Sequence, residues 1–206
     1  MAEKVRVAIL LSGRGSNMLA LSEYKRRDPD RAYEIVLVAS NVPEARGLVL
    51  ARRFGIKAWA RSHRGIKREE FDSLLDAVLL EHKVEIVALA GYMRVLTPFF
   101  VSAWSGKMLN IHPSLLPSFP GLDTHRRALE AGVKLHGCSV HLVTEGVDEG
   151  PILGQAAVPV LEGDTEAALA ARVLKAEHRL YPACVAALAS GHRALNCPAD
   201  ALMMNA

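Results

Sequence analysis

The stretch "VRVAILLSGRGSN", Val5 to Asn17, decides the fold. Val5–Leu11 is apolar apart from Arg6, and a strand without polar alternation is one buried on both faces. Ser12, Gly13, Arg14 and Gly15 break the run, and helical spacing follows from Ser16 to Arg26. A buried strand that turns through glycines into a helix opens a strand–helix–strand unit, which needs a parallel sheet covered by helices. Working outward, the alternation repeats. Ile35–Ala39 and Glu85–Ala90 are further buried strands and Lys57–Ala60 a weaker one, with helices Glu44–Phe54 and Lys67–His82 between them. In Lys67–His82 the residues Phe71, Leu74, Leu75, Val78 and Leu79 form one apolar face.

The pattern changes after the next strand, Met108–Ile111. Proline and glycine become frequent, and Gly137–Val143 and Ile152–Val160 read as strands joined by the compact turn "TEGVDEGP", hence antiparallel. A long helix is expected from about Thr165, with Asp164 as its N-cap, and Pro182 is expected to end it, kink it or open a new one. The fold class is therefore α/β, a mostly parallel sheet with an antiparallel edge portion in the C-terminal half. No internal repeat, low-complexity linker or convincing domain boundary interrupts it. The segment after Gly191, "HRALNCPADALMMNA", has no clear period and reads as a peripheral tail.

Composition sets outer limits. A chain of 206 residues can bury one full core or two small ones. The net charge of +3 is slight and the basic residues are dispersed, so no nucleic-acid partner is indicated. Cys138, Cys184 and Cys197 show neither metal-ligand spacing nor a disulfide framework, which suits reduced thiols in a cytoplasmic setting. No stretch is long enough to span a bilayer, and "VAILLSG" is too short for a signal peptide. His112, His125, His136 and His141 include no pair at helical i, i+4 spacing beside a glutamate, so no metal is expected.

The turn after the first strand is suited to an anion. Glycines allow close backbone approach, and a helix start offers N–H groups and partial positive charge. The third glycine of a dinucleotide fingerprint and the Gly-Lys-Ser/Thr of a P-loop are both missing, which favours a phosphate monoester. The same residues also read as a tight turn capped by Ser16.

A second polar group lies in "NIHPSLLPSFPG", Asn110 to Gly121. Sites in parallel sheets form beyond the carboxyl ends of strands, and residues two apart on a strand share a face. Asn110 and His112 therefore face the same way, and Pro113 restricts His112. An amide donor beside an imidazole can hold an oxyanion and move a proton. The carboxylate that would steady the imidazole is Asp148, flanked by Gly146 and Gly150; within about 4–6 Å it would raise the histidine pKa. The plainer alternative is a satisfied strand end, with Asp148 as a turn residue.

The segments "SGRGSN", "LAGYMRVL", "NIHPSLLPSFPGLDTHRRAL", "HGCSVHLVTEGVDEGPILGQ" and "RVLKAEHRLYP" occur in this order. With them the chain, from about Val5 to about Gly191, resembles the folate-dependent formyltransferases. The "SGxGSN" loop narrows the resemblance to the phosphoribosylglycinamide formyltransferase family, whose acceptor carries a phosphate. The resemblance implies a single-domain formyltransferase-like fold with a Rossmann-like sheet. The catalytic domain would cover residues 1–191, its part up to about residue 105 binding the phosphate and the rest carrying the folate site and catalytic loop, with a tail over 192–206.

The implied reaction moves the formyl group of 10-formyltetrahydrofolate, a co-substrate, to the amine of glycinamide ribonucleotide, without metal or covalent enzyme intermediate. The resemblance makes Asn110, protonated His112 and Asp148 the catalytic trio. It places the ribonucleotide phosphate at Gly15, Ser16 and Asn17 and the ribose hydroxyls at Glu177. The folate would lie against Met93, Arg94, Val95, Leu96 and Asn110 and against Thr144, Glu145, Gly146, Val147 and Asp148, largely through backbone groups, with Arg68 near its glutamate tail. Read without the resemblance, "MRVL" is a strand-to-helix transition, Glu177 a solvated helix residue and Arg68 an exposed charge. Arg14 and Asp123 depart from the family pattern. A formyltetrahydrofolate hydrolase usually has an added N-terminal domain, and a methionyl-tRNA formyltransferase usually has an added C-terminal RNA-binding domain and a different first loop. A non-catalytic nucleotide-binding protein of this fold is the alternative of another class. The partners expected are the two small substrates, with the chain a monomer or a homodimer.

Overall fold

The computed structural model describes residues 3–192. Cys197, and the expected tail past His192, lie outside the described residues. The chain divides into two compact units, with the boundary between Asn110 and Ile111.

The first unit is the strand–helix alternation expected from the sequence. Its strands are β1 (Val5–Leu11), β2 (Tyr33–Ser40), β3 (Lys57–Ala60), β4 (Ile86–Leu89) and the start of β5 (Met108–His112), which crosses the boundary; its helices are α1 (Ser16–Arg27), α2 (Arg46–Arg53), α3 (Arg68–Glu81) and α4 (Pro98–Ala103). The strands lie in the order β3-β2-β1-β4-β5, and every pairing is parallel. Val7 to Leu11 of β1 are fully buried, as a central strand between two neighbours requires. Phe71, Leu75 and Leu79 of α3 are buried, the face expected from their spacing. Arg6, the one charge within β1, is held by Glu34 at 2.6 Å and by the His82 carbonyl at 3.0 Å.

The second unit contains α5 (Thr124–Glu130), β6 (Leu135–Leu142), β7 (Ile152–Pro159) and α6 (Glu166–Ala189). β6 and β7 pair antiparallel, with a register shift between Val140 and His141. Such a bulge re-aims the side chains beyond it, and here it comes just before the loop that carries Asp148.

Three expectations fail. Thr165, not Asp164, caps α6: its hydroxyl accepts from the Ala168 amide, while Asp164 accepts from Leu161 and forms a two-pronged ion pair with Arg172. An arginine fork outcompetes a helix-end amide for that carboxylate. Pro182 does not end α6, which runs on to Ala189, and it is buried there, as are Tyr181, Cys184 and Val185. Helices α4 and α5 were not expected. With six and seven residues they are too short to show a period, although Thr97 as a cap ahead of Pro98 is a start signal for α4.

Candidate active site

Two polar groupings stand out, one in each unit. In the first unit β1 ends in the glycine turn. Gly15 is the N-cap of α1 with φ +80°, no side chain caps the helix, and its first turn holds no acidic residue. Ser16 is therefore not the cap. The turn leaves the helix start suited to an anion, and basic Lys25, Arg26 and Arg27 sit at the opposite end. Gly15 has a second reason to be glycine: a Cβ there would lie 2.6 Å from the Gly47 Cα, whereas one on Gly13 would meet nothing within 4 Å. Gly15→Ala should therefore destabilise the fold by more than the ~1–2 kcal/mol of left-handed strain alone. Gly13→Ala should leave stability nearly unchanged, and urea denaturation of the two variants checks the contrast. Asn17 is 8% exposed, while Arg14 is exposed.

The segment after β4 is held from two sides. The Met93 amide donates to Ser12 Oγ at 2.8 Å. The Arg94 side chain is turned inward: its guanidinium stacks 4.6 Å from the Phe71 ring centroid and its Nε lies 3.6 Å from Asp72 Oδ1, while Asp72 Oδ2 accepts from the Thr97 amide at 2.7 Å. Met93 and Val95 are 68% and 64% exposed. A ligand at Met93–Leu96 would thus meet backbone and two exposed apolar side chains, not the Arg94 charge. "MRVL" does lie on the passage from strand to helix: β4 ends at Leu89, and Thr97, the residue after Leu96, caps α4. Arg68 is the exposed first residue of α3.

In the second unit His112 is 6% exposed and lies between two acceptors. Its Nε2 is 3.1 Å from the Phe119 carbonyl and its Nδ1 is 3.3 Å from Asp148 Oδ2. Asp148 Oδ2 also accepts from the Gly121 amide at 2.9 Å, and Oδ1 lies 3.5 Å from His141 Nε2. Asn110 lies two residues before His112 on β5, so the strand presents both on one face. Phe119 and Asp148 both have left-handed backbones, at φ 54° and 58°. For a phenylalanine that conformation is strained, and strain of this kind concentrates at sites whose surroundings over-determine it.

A second layer holds the loop. Ser139 Oγ donates to the Ser114 carbonyl and accepts from the Leu116 amide, and Gln155 donates to the Leu116 carbonyl at 2.9 Å. The Leu116–Pro117 peptide is cis. Sequence reasoning missed Ser139, Gln155 and the role of His141; the register shift between Val140 and His141 breaks the alternation of β6 that would have related Ser139 to His141. Glu177 is only 7% exposed, so it is not the solvated helix residue that its sequence context suggested. Asp123 caps α5 with φ 55° and pairs with Arg126 at 2.7 Å on the surface. Beside the Asp148 loop is a cavity of about 330 Å³ lined by Leu116, Pro117, Pro120, Val147 and Asp148 among others.

The electrostatics correct one expectation. Burial lowers the His112 pKa, and although the Phe119 carbonyl and Asp148 both pull it up, the net shift is downward. Asp148 is held below the ordinary carboxylate range: its own burial opposes this, but His141, the Gly121 amide and His112 outweigh it. At neutral pH the resting pair is a neutral imidazole beside a carboxylate. Only the imidazolium can donate to both acceptors, so the ring is arranged to take a proton when negative charge appears nearby.

His136, which is buried, pairs with the half-buried His125 ring at 3.2 Å. Burial lowers both, His136 from 6.5 to about 4. The unfolded chain therefore binds more protons than the folded one between these values, and stability falls as pH falls through that window. Lowering the pH from about 7.5 to about 5 should therefore destabilise the protein through His136. Urea midpoints at the two pH values check this, and equal stability would contradict it.

A parallel α/β unit with an uncapped glycine turn, joined in sequence to a buried histidine–carboxylate pair on a strand-end loop, is the architecture of a formyl transferase. The formyl transferase family model matches residues 5–185, and the chain belongs to that family. It is 42% identical over 188 residues to the phosphoribosylglycinamide formyltransferase of Escherichia coli (strain K12), covering 91% of this chain and 88% of that protein. It is 51% identical over 190 residues to the trifunctional purine biosynthetic protein adenosine-3 of Homo sapiens, covering 92% of this chain but 19% of that much longer protein. The crystal structure of phosphoribosylglycinamide formyltransferase from Brucella melitensis superposes with a TM-score of 0.87 at 53% identity, covering 92% of this chain and 97% of that one. The α/β fold with parallel strands first and an antiparallel pair late in the chain is thus the fold of solved relatives.

Proposed function

We propose that the chain transfers the formyl group of 10-formyltetrahydrofolate to the amine of glycinamide ribonucleotide, a step of purine biosynthesis. The observation that carries this is the buried His112 Nδ1, 3.3 Å from Asp148 Oδ2, on a strand that also presents Asn110, in a chain of the formyl transferase family. The acceptor amine attacks the formyl carbon, the C–N bond forms, and the carbonyl electron pair moves onto oxygen. Asn110 donates to that oxyanion. The neutral His112 ring, with Asp148 behind it, gains proton affinity as the charge develops and takes up the proton that the amine sheds. When the carbonyl re-forms, the bond to the folate N10 breaks and N10 receives a proton, so none is gained or lost overall.

Gly15, Ser16 and Asn17 bind the ribonucleotide phosphate and Glu177 its ribose hydroxyls. The folate lies along Met93, Arg94, Val95 and Leu96 by their backbone and along Thr144–Asp148, with Arg68 at its glutamate tail. Two buried free thiols, Cys138 and Cys184, are in keeping with a cytoplasmic enzyme. Among the described residues no helix is long and apolar enough to cross a membrane.

The test is to mix the protein with 10-formyltetrahydrofolate, with and without glycinamide ribonucleotide, and follow release of tetrahydrofolate. Release only with the acceptor is expected. Release without it would make the protein a hydrolase, and none under either condition would make it a non-catalytic member of the fold.

A further inference from the structure

In the first unit the loops after β1, β2, β3 and β4 are joined by one run of hydrogen bonds that the catalytic reading does not use. The Met93 amide donates to Ser12 Oγ at 2.8 Å, and Ser12 Oγ donates to Asn41 Oδ1 at 2.6 Å. Asn41 Nδ2 lies 2.9 Å from His63 Nδ1, and the His63 amide donates to the Asn41 carbonyl at 3.3 Å. The chemistry of the groups fixes the direction. Ser12 accepts from Met93, so its single proton goes to Asn41 Oδ1; the amide nitrogen of Asn41 then faces His63 Nδ1, which also lies 3.0 Å from the Asn41 backbone carbonyl. Asn41 is 2% exposed and so is shielded from competing water. The Ser12 amide in turn donates to the Gly91 carbonyl at 3.0 Å, a second tie between the same two loops.

We infer that Ser12 and Asn41 are positioning residues that fix the Met93–Leu96 backbone relative to the glycine turn, so that the donor-binding and phosphate-binding segments of this unit are pre-arranged together. The inference rests on the proposed function for what those segments bind. Neither residue touches the reacting atoms, so both act on binding rather than on the chemical step. An Asn41 side chain that cannot accept leaves the Ser12 hydroxyl free to rotate, and the Met93 amide loses its acceptor.

The experiment measures KM for each substrate, kcat, and hydrogen exchange at the Met93 amide in Ser12→Ala, Asn41→Ala, the double variant and Asn41→Asp. The loss of one such bond should raise KM for both substrates by about 3–10-fold with kcat little changed. Met93 exchange should speed up in both single variants, and the double variant should be no worse than Ser12→Ala alone. Asn41→Asp keeps an acceptor facing Ser12 but loses the amide that faces His63, so Met93 exchange should stay closer to that of the unsubstituted protein than in Asn41→Ala. If Asn41→Ala does not fold, Ser12→Ala, which deletes a single oxygen, carries the test. Unchanged Met93 exchange and unchanged KM in Ser12→Ala, in a protein that transfers formyl, would overturn the inference alone. No transfer by the unsubstituted protein would overturn the functional reading and the inference with it.

Discussion

Asn110→Ala should lower turnover by about 10²–10³-fold, the cost of removing one donor to a developing oxyanion, and His112→Ala by about 10²–10⁴-fold, the range of a positioned acid–base group. The loss should fall on kcat more than on KM, because the charge that Asn110 meets and the proton that His112 takes up are both absent from the ground state. The two variants should differ in stability. Asn110 is half-buried on β5, whereas His112 is 6% exposed and answers both the Phe119 carbonyl and Asp148. Its removal leaves the half-buried Asp148 carboxylate with one partner fewer, so His112→Ala should also lower the urea midpoint. Steady-state kinetics with both substrates varied decides the matter. Turnover within twofold of the unsubstituted protein in Asn110→Ala would remove the oxyanion role.

Asp148→Asn is the second large effect, with an expected loss of about 10²–10⁴-fold in turnover, the range of positioned acid–base groups. Asparagine tolerates the left-handed backbone at φ 58° and can still accept from the Gly121 amide, so the loop keeps its path while the charge and one acceptor oxygen are removed. The sign of the stability effect follows from the shift. The Asp148 carboxyl is lowered below 3.8 in the folded protein, so its contribution to stability is present above 3.8 and is lost as pH falls through the folded value. At pH 7 the variant should therefore be less stable as well as slow, while near pH 2 the difference in stability should shrink. A variant with unchanged turnover would show that the carboxylate only shapes the turn.

Much of this was legible in the chain. β1 could be read because Val7–Leu11 has no polar alternation, and the pairing of His112 with Asp148 because a glycine-flanked turn lay close enough in sequence to fold back. What escaped has physical causes. The hydrophobic period of Lys67–His82 showed α3, but six-residue α4 has no period to show. Glu177 looked solvated because a charged residue on a helix is normally so; its burial depends on what α6 packs against. Arg94 was expected to meet folate largely through its backbone, and what the sequence did not show is that its side chain turns to Asp72, a residue on another element 22 positions earlier. The net fall of the His112 pKa was missed for the same reason: a neighbouring carboxylate can be guessed from sequence, whereas desolvation depends on the whole packed loop.

The most direct measurement is a double-mutant cycle on the formyl-transfer rate, comparing His112→Ala, Asp148→Asn and the two together at neutral pH. If the imidazole and the carboxylate work as one proton-handling unit, the double variant will be scarcely slower than the slower single one. Losses that multiply in full would mean that the two groups act independently and that their closeness plays no part in moving the formyl group.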